Sequence, residues 1–402
     1  MAFFLTLPVL SDDAHLVAWS AWAATQGEGF PEREAIPSMG VSEPLHLHLA
    51  TALVSLGLEP VLAVFTLNVI SLGGILWVLW RWGGWRAPLL FALVPFVPYL
   101  LLIGPGTALF LFLTLLAIWI GKEKGGVWAG LALVTRMDAL LSWGVAGLFT
   151  YFSGKREWVL GGLGVLALVL LLNEFLWGSP LPATLGAKGL LIQRLSLGGE
   201  GHPSPLPWVG VAAVLFFLPW WKRNERQLLG VLLGMTVVWW GAGFPPGTVW
   251  GLAGGLVLAT LCLAFSRTRS KAPLVLGVFG LLSLYPMNRS QVRWEDHQRV
   301  VQEVAKFLPQ EGCTVAFWYF GYLRSATEAC LVDGSGFFDP RSQDLLAQTG
   351  TADIFLLVEK EKIRAAIQFF PAGVEPNENL PSFLESIRVE GDSLIALVHL
   401  RD

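Results

Sequence analysis

Long unbroken apolar runs, not alternating or one-faced ones, dominate residues 1–287. Runs near 60–80, 87–104, 106–121, 157–177, 205–221, 226–243, 247–265 and 272–287 come close to the roughly 20 residues that cross a hydrocarbon core about 30 Å thick. A further stretch, 126–152, is too long for one helix and carries Arg136 and Asp138 at its middle, so it predicts two short spans meeting at a polar turn. Pro44 to Gly57 is too short to cross and suits a helix lying at the membrane interface. Met1 to Leu10 is apolar but half a span long, and it lacks the basic flank and small-residue cleavage site of a signal peptide. Beyond Met287 the pattern changes. An amphipathic helix is predicted from Trp294 to Leu308, then strands at 313–318, 329–333 and 353–358 with a helical pattern between the last two, and short strands at 384–389 and 393–399. That order fits a small α/β domain.

Composition agrees with the pattern. The chain is 54% hydrophobic and only 14% charged, which sets it apart from soluble proteins of its length. Its charged residues divide almost evenly between 1–287 and the much shorter 288–402, marking a domain boundary near Met287. Tryptophans such as Trp77, Trp80, Trp82, Trp85, Trp220, Trp221, Trp239 and Trp240 cluster where apolar runs end, the level of lipid headgroups. A net charge of −3 without a basic aromatic stripe excludes a nucleic-acid partner. Every second loop is basic: Arg81 and Arg86; Lys122 and Lys124; Lys155 and Arg156; Lys222, Arg223 and Arg226; Arg267, Arg269 and Lys271. Short basic loops stay cytoplasmic, which places 11–58 and the tail outside the cell. The expected architecture is a polytopic α-helical membrane protein with about ten full spans and a partial first helix. It comprises a membrane domain 1–287, whose segment 11–58 is an outer loop with interfacial helices, and an extracytoplasmic α/β domain 288–402.

Candidate chemistry lies among the outer charges that neither topology nor solubility explains. The first outer loop holds Asp12, Asp13, Glu28, Glu32, Glu34 and Glu43 against Arg33. A half-desolvated carboxylate at the membrane surface can serve as a general base toward a hydroxyl; Ser11-Asp12-Asp13 also reads as a helix N-terminus. The basic residues left outside are Arg33, Arg136, Lys188 and Arg194. Each suits either a lipid phosphate or a local pairing, Arg136 with Asp138 and Lys188 with Glu174. His46 and His48 point about 200° apart on a helix and cannot share one metal. Cys313 and Cys330 open two predicted strands outside the cell, where a disulfide is permitted, or they are two buried thiols; Cys262 sits mid-span as packing. No zinc spacing, Walker loop, dinucleotide fingerprint or nucleophile elbow occurs.

Several ordered segments resemble one family, the GT-C glycosyltransferases that use polyprenyl-phosphate sugars, among them bacterial terminal arabinofuranosyltransferase-like and mannosyltransferase-like proteins. Asp12-Asp13-Ala14-His15 is similar to that group's D-D-A-Y, followed by Gly27-Glu28-Gly29-Phe30, and Ser42-Glu43-Pro44-Leu45 to its T-S-P-L. Gly104 to Phe110 looks like G-x-E-T-x-L-F, Thr135 to Asp138 like T-R-P-[ED], and Gly178 to Gly189 like G-D-P-L-P-N-T-x-x-A-K-G. Tyr319-Phe320-Gly321-Tyr322 and Leu331 to Gly336 resemble tail motifs. The resemblance implies transfer of a hexose or pentose, with inversion, from a polyprenyl phosphate to an extracytoplasmic glycan, lipid or protein at a bacterial plasma membrane. By position, Asp12 or Asp13 is the base and Arg136, Lys188 and Thr184 hold the donor phosphate. Glu43, His46, Asp138 and Arg194 are accessory or acceptor-side candidates, and a divalent cation is compatible with these carboxylates. Gly106 stands where the family has an acid, and Tyr319 where it has an Asp. Those departures keep open a catalytically silent lipid-glycan binding subunit; a transporter for a lipid-linked substrate is the alternative from a different class.

Overall fold

The computed structural model describes residues 10–26, 41, 43–121, 125–136, 156–177, 258, 259, 262, 266, 272–309, 311–316, 319–327, 329–333, 363–372 and 385–400. Two local rules set where the first helices begin. Ser11, extended and just before the run, accepts from the Ala14 N–H at 3.4 Å and starts α1 (Asp12–Thr25). Its first turn carries both aspartates, where the N-terminal partial charge of the helix favours anions. Proline at the first helical position opens α2 (Pro44–Ser55) and α3 (Pro60–Gly83). Glu59 caps α3 through both carboxylate oxygens, taking the N–H groups of Val61 at 3.1 Å and Leu62 at 2.7 Å.

Among the described residues α3 alone is long and apolar enough to cross a membrane. The predicted single span at 87–104 is instead a broken pair, α4 (Arg86–Ala92) and α5 (Phe96–Ile103), bent by 79°. Pro95 has no N–H to continue the ladder and disfavours helical backbone before it, so the run breaks although its hydrophobicity does not. Two shorter helices follow, α6 (Thr107–Ile120) and α7 (Gly125–Thr135), then α8 (Arg156–Trp177). The second half of the predicted 126–152 pair and the predicted spans at 205–221 and 226–243 lie outside the described residues, as does most of 247–265. Phe175 is 86% exposed, and Leu163, Leu168, Leu171, Leu281 and Leu282 are exposed too, an apolar surface suited to lipid.

The last predicted span and the amphipathic helix after it are one element, α9 (Ala272–Ala305), 34 residues and about 51 Å long. The side chains shift from apolar to charged near Met287, but the helix continues through that point. Gly280 permits α9 to pass the α4–α5 break, because a Cβ there would collide with the Leu93 carbonyl.

The tail is built on β1 (Cys313–Ala316), α10 (Phe320–Ala326), β2 (Cys330–Asp333), β3 (Ile363–Pro371), β4 (Glu385–Glu390) and β5 (Leu394–Leu400). Strand order is β2-β1-β3-β5-β4, with β1 parallel to β2 and β3, and β5 antiparallel to β3 and β4. Cys313 lies opposite Cys330 in the register, and a disulfide joins them across a Cα separation of 4.6 Å, within bridging range. Strand β3 has no counterpart in the predicted elements: Ile363-Arg364-Ala365-Ala366-Ile367 is rich in helix formers, and burial between β1 and β5 overrides that preference. The strand predicted at 353–358 and the helical pattern before it lie outside the described residues.

Two cores organise these elements. One joins α3 to α7 through Ile75, Leu79, Phe91, Leu101, Phe110, Leu115 and Ala132. The other is continuous from α1 and α2 into the tail, through Leu16, Val17, Leu47, Val300, Phe320, Leu323, Ile367 and Val398. The tail is therefore packed onto α1 and α2 through shared apolar burial, not tethered beside them.

Candidate active site

Asp12 sits where α1 meets α10. Its Oδ1 accepts from the Tyr322 N–H at 2.7 Å. The Tyr322 hydroxyl donates to the Leu10 carbonyl at 2.6 Å, and His15 Nδ1 pairs with Ser325 Oγ at 2.9 Å. Close approach requires a glycine, since a Cβ at Gly321 would run into the Asp12 carbonyl and the Leu16 nitrogen. Burial first, then the neighbouring Asp13, push the Asp12 carboxyl up from 3.8 to about 7, against the N–H groups of Tyr322 and Gly321, which lower it. Asp13 is exposed on the next position of the same turn. The structure thus separates two residues that are equivalent in sequence.

The second cluster lies along the loop from α5 to α6. Gly106 adopts a left-handed conformation, φ +64, as the N-cap of α6, and a Cβ there would stand 3.0 Å from Glu43 Cγ. Glu43 occupies in α2 the place that Glu59 has in α3, yet it makes no capping bond. Its carboxylate instead reaches Arg136, at 3.9 Å from the guanidinium. Both side chains are buried, at 8% and 5% exposure, so neither charge is left to bulk water; a buried charge is held only when paired. Arg136 also donates to Thr107 Oγ1 at 3.3 Å, and that hydroxyl donates to the Pro105 carbonyl at 3.3 Å.

One segment connects the clusters. The Ser11 N–H donates to the Ile103 carbonyl at 3.0 Å, and Ile103 is four residues before Thr107, at most about 14 Å along the chain. Asn68 on α3 fixes the same segment by donating to the carbonyls of Leu102 at 2.8 Å and Gly104 at 3.0 Å. His46 is fully buried close to Asn68 without a well-formed hydrogen bond at either ring nitrogen. Burial pushes it down to about 4, so it is neutral at pH 7. His48 points elsewhere, to Asn173 on α8 at 3.2 Å.

Of the residues singled out in the sequence, Asp12, Asp13, Glu43, His46 and Arg136 are drawn around this segment. Asp138, Thr184, Lys188 and Arg194 lie outside the described residues. The partner found for Arg136 is Glu43, 93 positions away, a pairing no local spacing signals. Gly321 and Tyr322 belong to a tail motif noted in the sequence, but nothing there ties them to Asp12. Among the described residues no set of three or more His, Cys, Asp or Glu gathers to hold a metal ion.

No protein-family model matches the chain, and no curated protein matches it. Two solved structures are similar over nearly the whole length. One is ArnT from Cupriavidus metallidurans bound to undecaprenyl phosphate, 12% identical, TM-score 0.51, covering 97% of this chain and 94% of that one. The other is the same protein in the apo state, 13% identical, TM-score 0.53, covering 98% and 94%. The chain therefore shares the fold of ArnT, the fold that the GT-C resemblance leads one to expect.

Proposed function

We propose that this protein is a membrane glycosyltransferase that moves a sugar from a polyprenyl-phosphate donor to an extracytoplasmic hydroxyl on a glycan, lipid or protein. The fold supports the class, and a solved structure of that fold, ArnT, holds undecaprenyl phosphate. The observation that carries the reading is the Asp12 carboxyl, fixed by the Tyr322 N–H and pushed up to about 7, close to the operating pH at which a general base works best.

In the proposed reaction Asp12 takes the acceptor hydroxyl proton as that oxygen bonds to the anomeric carbon. The bond from that carbon to the phosphate oxygen breaks on the opposite face, so the sugar inverts and polyprenyl phosphate leaves with the electron pair. Arg136, held by Glu43 and Thr107, together with Lys188, neutralises the charge growing on the phosphate. Asp13 raises the basicity of Asp12 by its own charge. We place the membrane domain 1–287 in the bacterial plasma membrane, with its segment 11–58 as an outer loop with interfacial helices, and 288–402 outside the membrane.

Glu43 bears on the silent-subunit alternative: its Cβ and Cγ lie against Gly106, the position where the resemblance places an acid, and its carboxylate faces Arg136. The 79° break between α4 and α5 is the feature a lipid-linked transporter would share. Purified protein incubated with a panel of synthetic polyprenyl-phosphate sugars, with acceptor present, separates the readings. Release of polyprenyl phosphate supports the transferase, and tight binding of every donor without release contradicts it.

A further inference from the structure

We infer that the tail domain supplies the positioning residues of the active site: Gly321 and Tyr322, at the start of α10, seat on α1 and fix the Asp12 carboxylate. This rests on Asp12 being the base, as proposed above.

Four contacts between α10 and the first outer segment point the same way. The Tyr322 N–H is 2.7 Å from Asp12 Oδ1, the Tyr322 hydroxyl is 2.6 Å from the Leu10 carbonyl, and Ser325 is 2.9 Å from His15. Arg324 lies over the Trp19 ring at 4.9 Å from its centroid. The bonds to Leu10 and Asp12 bracket the helix start, so α10 grips the place where the carboxylate leaves the backbone. Gly321 is what lets the two backbones meet, and any larger residue must push α10 away.

α10 is itself held in place. It lies in the connection between β1 and β2, whose first residues the disulfide joins. Its N-cap, Tyr319, is the one non-glycine residue at positive φ among the described residues, at φ 51, a conformation that persists only where surroundings impose it. The surroundings are visible: the Tyr319 hydroxyl pairs with His297 Nδ1 on α9 at 3.1 Å, and its ring meets Phe369 on β3 edge-on. A carboxylate held by a rigid backbone N–H keeps one orientation toward an incoming hydroxyl, and misplacement by about 1 Å can cost on the order of 100-fold in rate.

The test is a transfer assay on full-length protein with a donor it accepts, comparing wild type, Gly321→Ala, Tyr322→Phe and Asp12→Asn. Gly321→Ala is expected to lower kcat at least tenfold while donor KM stays within twofold and the tail keeps its thermal transition. Tyr322→Phe, which retains the N–H, is expected to lose less. A Gly321→Ala enzyme with wild-type kcat overturns the inference, as does a loss that appears only in KM or only with unfolding of the tail. Wild type that releases no polyprenyl phosphate from any donor refutes the functional reading and the inference with it. Active wild type, inactive Asp12→Asn and unchanged Gly321→Ala refute the inference alone.

Discussion

Asp296 is the best-defined fastening of the tail, and its removal has a calculable cost. Its carboxylate is 4% exposed and lies on α9 beneath the turn between β4 and β5. It accepts from the Asp392 N–H at 3.1 Å, the Ser393 N–H at 2.7 Å, the Ser393 hydroxyl at 2.7 Å and Arg299 at 2.6 Å. Burial raises this carboxyl, but Arg299, then Ser393 and Asp392, outweigh it and bring it from 3.8 down to about 2. That lowering corresponds to about 2 kcal/mol of native-state stability at neutral pH. Leaving the partly buried donors unpaired in Asp296→Ala gives a similar figure, about 1–3 kcal/mol. Hydrogen exchange on the full-length protein reads it directly. Amides at 391–394 should exchange about 30-fold faster in Asp296→Ala at pH 7, the factor that about 2 kcal/mol implies. Because the carboxyl is depressed in the native state, the stabilisation is complete above pH 3.8 and disappears as pH falls toward 2. Exchange within twofold of wild type at pH 7 would refute the clamp.

Asp12 has the opposite sign. Raised to about 7 by burial and Asp13, with Tyr319 and Tyr322 alongside, it must lose its proton to serve as the proposed base, so the transfer rate is expected to climb with pH through about 7; a flat profile from pH 5 to 9 contradicts this. The native state then holds that proton more tightly than the unfolded chain, so Asp12 costs stability as pH rises from about 4 to about 7, which thermal melts across that range can detect. Gly106→Ala places a Cβ 3.0 Å from Glu43 Cγ on a left-handed backbone; it is expected to cost about 1–2 kcal/mol and to raise donor KM by loosening Arg136. Wild-type KM and melting temperature in that variant would remove Gly106 from the account.

Much of this architecture was legible, for identifiable reasons. Helix α3 and strands β1, β2, β4 and β5 follow from apolar period and length. The start of α1 follows from Ser11-Asp12-Asp13. The break at Pro95 was equally present in the sequence, but continuous hydrophobicity masked it. Fusion of two predicted helices into α9 was hidden because a change in side-chain polarity reads as a boundary whether or not the backbone bends. Strand β3 escaped because its residues favour helix and only its neighbours in the sheet decide otherwise. At the site, the candidates could be named from charge and topology, but their partners could not. Glu43 with Arg136, and Asp12 with Tyr322, are 93 and 310 positions apart, and such pairings exist only once the fold brings α2 to α7 and α10 to α1.

The central claim is that Asp12 is the base of a sugar transfer that inverts the anomeric centre. The most direct measurement follows polyprenyl phosphate release and product anomeric configuration, by NMR, for wild type, Asp12→Asn and Asp13→Asn with one donor that turns over. The account expects an inverted product and a loss of about 100-fold or more in Asp12→Asn, with a smaller loss in the exposed Asp13→Asn. A retained configuration, or an Asp12→Asn enzyme that works at the wild-type rate, would contradict it.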